Sequence, residues 1–417
     1  MLPDCRANRV LAGVLIVCAV MSIASAGAST PAFAQELPDV YPAAVPRTPP
    51  PPRLGPVPDL RAVRGQDRTP HRAKGCARAG RPRGVPWIDP RAVDPASPNP
   101  LRGLRWYVDP LEPAFRSYRT LHNHRKRNRA DLMWRVAREP RFRWFGRWDT
   151  PVRRRVRNYL RCAAAVQPGA VPLMVVMRHQ GKGCGGGYTG GGPAEDRRSR
   201  VWYRNFARAV GGTRVVIGFE PDSLGTVDCL TQGRRQARLN LLRYGVKVLS
   251  RLPRATIYLE AGASDWEPAR RTAKQLRYIG IRRVRGFMLN ATHHDWTRAN
   301  LRHGLAISRR VGGKHFIINT SFNGRGPIHI YRGRRRLNIW CNPPGRGLGI
   351  EPTTITGHPL VDAYMWINRP GYSAGGCNGG PMPVGSWWPA RALMYARFQT
   401  SWLSPPHGTK NGFFVRR

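Results

Sequence analysis

Carboxylates and indole rings placed just after apolar runs are the chemistry this sequence offers. Glu220 and Asp222 stand two residues apart in "EPDSL", where a carboxyl could give or take a proton. Trp266 ends "AGASDW", Asn290 opens "NATHHDW", Asn319 opens "NTSFNGRGP", and Trp340 precedes "CNPPGRGLG". Aromatic platforms between polar side chains suit sugars, because tryptophan presents a flat apolar face to the C–H side of a pyranose. Ordinary core packing is the competing use of any one tryptophan. Phosphate is set aside. The stretch 173–192, "LMVVMRHQGKGCGGGYTGGG", empties into glycine but lacks G-x-x-x-x-G-K-[ST], and Lys182 precedes most of the glycines. His293 and His294 are adjacent rather than four apart on a helix, and no C-x-x-C pair occurs, so no metal site is expected.

Residues like these need strands to hold them. Apolar, strand-like runs fall at 172–177, 214–219, 255–260, 284–289, 315–319 and 361–367. Helical patterns cover 111–139, 150–166, 195–210, 232–250, 267–279 and 297–311. Strands recurring every few tens of residues with helices between them predict successive βα units on a parallel sheet. The runs are nearly continuous, as expected when both faces of the sheet are covered. An α/β barrel fits better than an open dinucleotide-binding sheet, since no G-x-G-x-x-G follows the first strand. In a parallel barrel the working residues gather at the carboxyl ends of the strands, which is where every candidate above stands.

The rest of the chain sets the context. Residues 1–34 read as a secretion signal: Arg6 and Arg9, an apolar stretch at 10–22, and an A-x-A site at 32–34. That apolar stretch is short for a membrane span, so no membrane association is expected after cleavage. Residues 35–100 read as a linker or extension rich in proline, arginine and glycine, 101–405 as the barrel domain, and 406–417 as a tail. Six cysteines follow the leader, an even count that in an exported chain points to disulfides. The formal net charge is +47, and only seven of the 70 basic residues are lysine. Such a charge suits an acidic polysaccharide or an anionic cell wall. Arginine-rich genome composition would give the same figure, and for a secreted protein no nucleic-acid partner is expected.

Five blocks in order carry a resemblance to a known family. They are "FEPDSLGTVDCL" at 219–230, "IYLEAGASDW" at 257–266, "GGKHFIINTSFNGRGP" at 312–327, "WCNPPGRGLG" at 340–349 and "DAYMWINRPGYSAGGC" at 362–377. From about residue 106 to about residue 400 the chain resembles glycoside hydrolase family 6, the bacterial and fungal cellulases. The resemblance implies a distorted, incompletely closed parallel (β/α) barrel with the glycan in a cleft or tunnel. It implies inverting hydrolysis of β-1,4-glucosidic bonds by a monomer without cofactor. It implies disulfides Cys184–Cys229 and Cys341–Cys377, which leaves Cys76 and Cys162 to each other. Trp266, Asn290, Asn319 and Trp340 match positions at or near the bound sugar.

The same alignment exposes departures. The family's glycine-rich loop reads roughly P-x-R-D-C-G, and the resemblance implies that its aspartate is the general acid; Gly183 stands there, with Lys182 at the arginine. Asn319 and Phe322 replace an aspartate and an arginine, Asn368 and Tyr372 a lysine and a glutamate, and Ala263 a histidine. Asp222 is kept, and the resemblance implies that it supports the acid and the charged sugar ring. Inverting hydrolysis needs one carboxyl for the leaving oxygen and another for the water. Two expectations follow. In one, the chain is a divergent glucanase in which Asp222 becomes the acid, or Glu195 or Asp196 swings in. In the other, it is a secreted glycan-binding pseudoenzyme.

Overall fold

The computed structural model describes Cys76 and residues 98–178, 191–332 and 335–405. The leader, the tail, most of the segment 35–100, and Lys182, Gly183 and Cys184 of the glycine-rich loop lie outside the described residues.

Seven strands form one parallel sheet in simple chain order: β1 Arg143–Gly146, β2 Leu173–Met177, β3 Val215–Phe219, β4 Ala255–Glu260, β5 Gly286–Leu289, β6 His315–Asn319 and β9 Val361–Met365. A short antiparallel hairpin, β7 His329–Arg332 and β8 Arg335–Asn338, interrupts the path from β6 to β9. The edges β1 and β9 approach without forming a full ladder. A parallel bridge joins Arg141 to Trp366, the Phe142 N–H donates to the Trp366 carbonyl at 3.1 Å, and the Trp144 indole N–H donates to the Ile367 carbonyl at 2.8 Å. This is the incompletely closed barrel expected from the sequence.

The central strands are buried end to end, and side-chain alternation divides them between two cores. Leu173, Val175, Met177, Val216, Tyr258, Met288, Ile317, Ala363 and Met365 point into the barrel. The intervening residues, such as Met174, Val176 and Ile217, are equally buried on the outer face. Gly218 makes room for this packing, since a Cβ there would lie 2.9 Å from Met288 Sδ and 3.3 Å from Val175. Helices α1 Pro113–Asn123, α2 Arg127–Ala137 and α8 Pro389–Arg397 form a second cluster around Trp366, Trp387 and Phe322. The helices α3 Val152–Val166, α4 Pro193–Val210, α5 Gln232–Leu249, α6 Ala269–Ile279 and α7 Thr297–Arg310 alternate with the strands as βα units require.

Besides the β7–β8 hairpin, the structure adds two elements to those expected, β1 and α8. β1 has only four residues and begins on Arg143, which pairs with Asp149 at 3.3 Å, so its polarity hides it in the sequence. Helix α8 buries Arg391, whose guanidinium reaches the Pro343 carbonyl and the Tyr395 hydroxyl. Disulfides join Cys76 to Cys162 and Cys341 to Cys377, as paired above. Cys229 is also disulfide-bonded, while its expected partner Cys184 is outside the described residues. No helix among the described residues is long and apolar enough to cross a membrane.

Candidate active site

The carboxyl end of β3 opens in strained backbone. Glu220 and Asp222 both take left-handed conformations, at φ 59° and 68°, and Asn290 at the end of β5 does the same at φ 63°. Such angles cost a residue with a side chain on the order of 1 kcal/mol or more and persist where the surroundings fix them. Glu220 is fully buried. Both its oxygens lie 2.8 Å from the Arg178 N–H, and Oε1 accepts the Tyr203 hydroxyl at 2.6 Å. Burial, reinforced by the Glu220 charge, pushes the Tyr203 hydroxyl well above its usual range, so it remains a donor. Glu220 therefore ties the exit of β2 to β3 and α4.

Asp222 is half-buried and turns the other way. Its Oδ1 accepts the Thr292 hydroxyl at 2.5 Å, and its backbone carbonyl accepts the Thr226 hydroxyl at 2.6 Å. Behind it stands Glu260, the last residue of β4, 3% exposed. Glu260 Oε2 accepts the Leu224 N–H at 2.9 Å and Oε1 accepts the Gly262 N–H at 2.5 Å. Burial raises its carboxyl to about 8, with the Asp222 charge adding to the rise, and the two N–H donors only partly oppose it. At neutral pH this end of the barrel therefore keeps a proton beside Asp222.

A histidine closes the group. His293 Nδ1 lies 2.8 Å from Asp265 Oδ1, and the imidazole stacks on the Trp266 indole with ring centres 4.6 Å apart. Burial alone would lower its pKa, but Asp265, then Asp222 and Glu260, raise it. Gly225 lies so close to Trp266 that a Cβ would sit 2.5 Å from the indole. Trp266 is thus half-buried and braced by His293 and Gly225.

The other predicted residues divide by exposure. Asn290 and Asn319 are fully buried and clamp each other. The Asn290 amide donates to the Asn319 carbonyl at 3.1 Å, and the Asn319 amide returns a bond to the Asn290 carbonyl at 2.9 Å. Asn319 Oδ1 also accepts the N–H groups of Ile367 and Asn368, so it joins β5, β6 and the exit of β9. An aspartate could accept those two bonds but could not donate to Asn290. Asn368 donates to the Ala291 carbonyl at 2.8 Å, Tyr372 donates to Glu112 at 2.8 Å, and Ala263 is buried. Trp340 is 48% exposed, beside the Cys341–Cys377 disulfide, with its ring open to a ligand.

Two acidic candidates for a substituted acid are tied down. Glu195 pairs with Arg178 at 2.5 Å and Arg198 at 3.0 Å. Burial works against ionisation there, but the two guanidinium groups outweigh it and hold the carboxyl below its usual range. Asp196 is held by both prongs of Arg234, at 3.0 and 3.2 Å. Next to them a cavity of about 670 Å³ opens among Arg147, Arg178, Arg198 and Glu195.

Sequence reasoning missed Glu260, Thr292 and the His293–Asp265 pair. Glu260 could have been found by counting the strand's own last residue as part of the mouth. Thr292 and the histidine pair become legible only once 70 and 28 residues of separation are folded together. The assembled group can present one accessible carboxyl, Asp222, in a partly desolvated setting with a second, protonated carboxyl behind it and the His293 imidazole nearby.

The comparisons with known proteins agree with this architecture. The chain is 34% identical over 303 residues to Endoglucanase A of Cellulomonas fimi, covering 72% of this chain and 62% of that protein. It is 32% identical over 249 residues to Endoglucanase A of Thermobispora bispora, covering 58% and 52%. The chain thus spans between half and two thirds of the length of these two relatives. Among solved structures, the endoglucanase Cel6 from Mycobacterium tuberculosis, in complex with a methyl-cellobiosyl thio-cellobioside, superposes with a TM-score of 0.65 at 36% identity, over 72% of this chain and 99% of that one. An endoglucanase from Humicola insolens, 19% identical with a TM-score of 0.60 over 72% and 98%, shares the fold. The family model for glycosyl hydrolases family 6 matches residues 102–397, and with the barrel described above this establishes that the chain belongs to that family.

Proposed function

We propose that the protein is a secreted glucanase-type glycoside hydrolase that cleaves β-1,4-linked glucan, with Asp222 as the group that protonates the leaving glycosidic oxygen. The observation that carries this reading is the state of Asp222 among its neighbours. Glu195 and Asp196 each face a guanidinium, Asp265 faces the His293 imidazole, and Glu220 and Glu260 are buried under backbone N–H donors. Asp222 has one oxygen on Thr292, and its other oxygen carries no hydrogen bond among the described residues. A proton donor must reach substrate, and this carboxyl is placed to do so. Gly183 then does not remove the acid, because the acid is carried by the strand β3 exit rather than by the glycine-rich loop. The exposed Trp340 supplies a stacking surface for a sugar ring. Export is supported by the disulfides Cys76–Cys162 and Cys341–Cys377, which persist in oxidising compartments.

A second reading, a glycan-binding protein without turnover, draws on the exit of β9. Asn368, Arg369 and Tyr372 stand there, none of them a carboxylate, and Asn319 is committed to the clamp. Inverting hydrolysis requires a base for the attacking water as well as an acid. Product release from cellohexaose and mixed-linkage glucan, by wild type and Asp222→Ala, separates the two. Release by wild type alone supports the hydrolase. No release by either, with tryptophan fluorescence still reporting binding, sinks the hydrolase and leaves the binder.

A further inference from the structure

We propose that a groove on the outer helices α5 and α6, remote from the strand mouth, is a binding site for an anionic, uronate-type polysaccharide. The groove holds about 400 Å³ and is lined by Arg243, Lys247, Arg277, Arg283, Tyr244 and Tyr278. All of these belong to the carboxyl-terminal halves of the two helices or to the turn that follows α6. In a parallel βα barrel the helices run back from the mouth, so the groove lies toward the opposite end from Asp222.

No carboxylate lines the groove. Residues 230–259 contain seven arginines and lysines and no acid, and residues 268–294 repeat that count. Other arginines nearby pair with carboxylates: Arg234 with Asp196, Arg198 with Glu195, and Arg271 with Asp228. Arg243, Lys247 and Arg283 have no ion pair among the described residues, and all three are exposed. A cation near a helix carboxyl terminus is favourable in itself. That accounts for Lys247 and Arg277 but not for the half-buried Tyr244 and the exposed Tyr278 that share the groove with them.

The tyrosines indicate the kind of anion. Arg200 lies over the Tyr244 ring at 4.6 Å and Arg243 over the Tyr278 ring at 5.6 Å. The Tyr244 hydroxyl accepts from Arg204 at 2.6 Å, and the Tyr278 hydroxyl donates to Asn240 at 2.6 Å while accepting from Gln236 at 2.5 Å. Both rings are therefore held in place before any ligand arrives. With one face of each ring covered by a guanidinium, the groove offers edges, hydroxyls and charge. That combination suits carboxylated sugars more than the stacked bases of a nucleic acid, which need open aromatic faces.

The inference goes beyond glucan cleavage and rests on it only in choosing a polysaccharide as the polyanion, so cleavage and binding are measured on the same samples. The experiment titrates full-length wild type, the double variant R243Q/K247Q and the control R116Q/R119Q with polygalacturonate at two salt concentrations. Arg116 and Arg119 are exposed on α1, away from both sites. The expected result is that R243Q/K247Q weakens polygalacturonate binding about tenfold, the loss of two exposed ion pairs at about 1 kcal/mol or less each. The control should stay within about twofold, as for scattered surface charge, and cellohexaose turnover should be unchanged in both. Equal weakening by the two variants, or none by either, would mean diffuse attraction and overturn the site. So would a single-stranded oligonucleotide bound as tightly as polygalacturonate and weakened to the same extent by R243Q/K247Q.

Discussion

The two ends of the barrel handle buried charge in opposite ways. At the floor, near the amino ends of the strands, Asp362 is fully buried and saturated. It accepts the Tyr258 hydroxyl at 2.6 Å and both Nε and Nη2 of Arg285 at 2.8 Å, with His315 Nδ1 3.0 Å away. The Arg285 Nη2 also donates to the Pro98 carbonyl, and the Asn99 amide donates to the Asp362 carbonyl, so the entering chain is pinned to the same cluster. Burial works against the Arg285 charge, but Asp362 outweighs it and raises its pKa. At the mouth the groups are strained or unsatisfied. Glu220, Asp222 and Asn290 have positive φ, Glu260 is held protonated, and neither ring nitrogen of the buried His294 finds a partner among the described residues. Both ends join strands, through Asp362 at the floor and the Asn290–Asn319 clamp at the mouth, but the mouth also keeps Asp222, with one oxygen not hydrogen-bonded among the described residues. Strain at one end is tolerable because the other end fixes the barrel.

Substitutions at the two ends should therefore fail differently. Asp222→Ala should lower the rate of oligosaccharide cleavage by about 10²–10⁴, the usual contribution of a positioned acid, with at most a small fall in thermal midpoint, since alanine is less at ease than aspartate at φ 68°. A large drop in midpoint would place Asp222 with the floor residues instead. Asp362→Ala should do the reverse. Removing one partner of a buried ion pair costs about 3–5 kcal/mol, so chemical denaturation should show a loss of that order. Whatever fraction remains folded should keep its turnover per molecule. Should the variant fold normally but turn over slowly, the floor and mouth are coupled and the comparison fails.

The floor was less legible in the sequence than the mouth, although it is better ordered chemically. The strands could be read because both faces are buried, which turns 173–177 and 215–219 into unbroken apolar runs. Glu220 and Asp222 could be read because they directly follow one such run. Asp362 sits inside a predicted strand, and its partners Tyr258, Arg285 and His315 come from three other places in the chain, so no local pattern marks it. Asn290 and Asn319 were expected at the sugar, and their position after strands was right. Their use as a mutual clamp depends on 29 residues of separation that spacing does not reveal. The role expected for the glycine-rich loop cannot be compared, since Gly183 lies outside the described residues.

The protonated carboxyl at the mouth gives a pH test of intermediate size. Glu260 titrates near 4.5 when unfolded and at about 8 when folded. Between those values the folded chain holds a proton that the unfolded chain has released. Stability therefore falls as pH rises through that window and levels off above about 8. Glu139, raised to about 7 mainly by burial, adds in the same direction. Glu260→Gln should flatten this slope. It should also lower stability at pH 5 by about 1–3 kcal/mol, because one amide oxygen cannot serve the N–H groups of both Leu224 and Gly262. An unchanged slope in denaturation curves from pH 5 to 8 would show that Glu260 does not carry the proton.

The smallest effect sharpens the mouth itself. Trp266 is braced by His293 and Gly225, while Trp340 is open, so only the second is free to stack on a sugar without rearrangement. Trp340→Ala should weaken oligosaccharide binding by about tenfold or less, in line with roughly 1 kcal/mol for an aromatic contact. On the proposed reading Trp340 is a stacking surface apart from Asp222, so the cost should appear in KM with kcat retained. Trp266→Ala should instead disturb His293 and, through it, the neighbouring Asp265 and Asp222 carboxyl groups, changing kcat and its pH profile. If the two variants gave the same KM effect with no change in pH profile, Trp266 would be a sugar platform like Trp340. The stacked imidazole would then be a lid that ligand displaces.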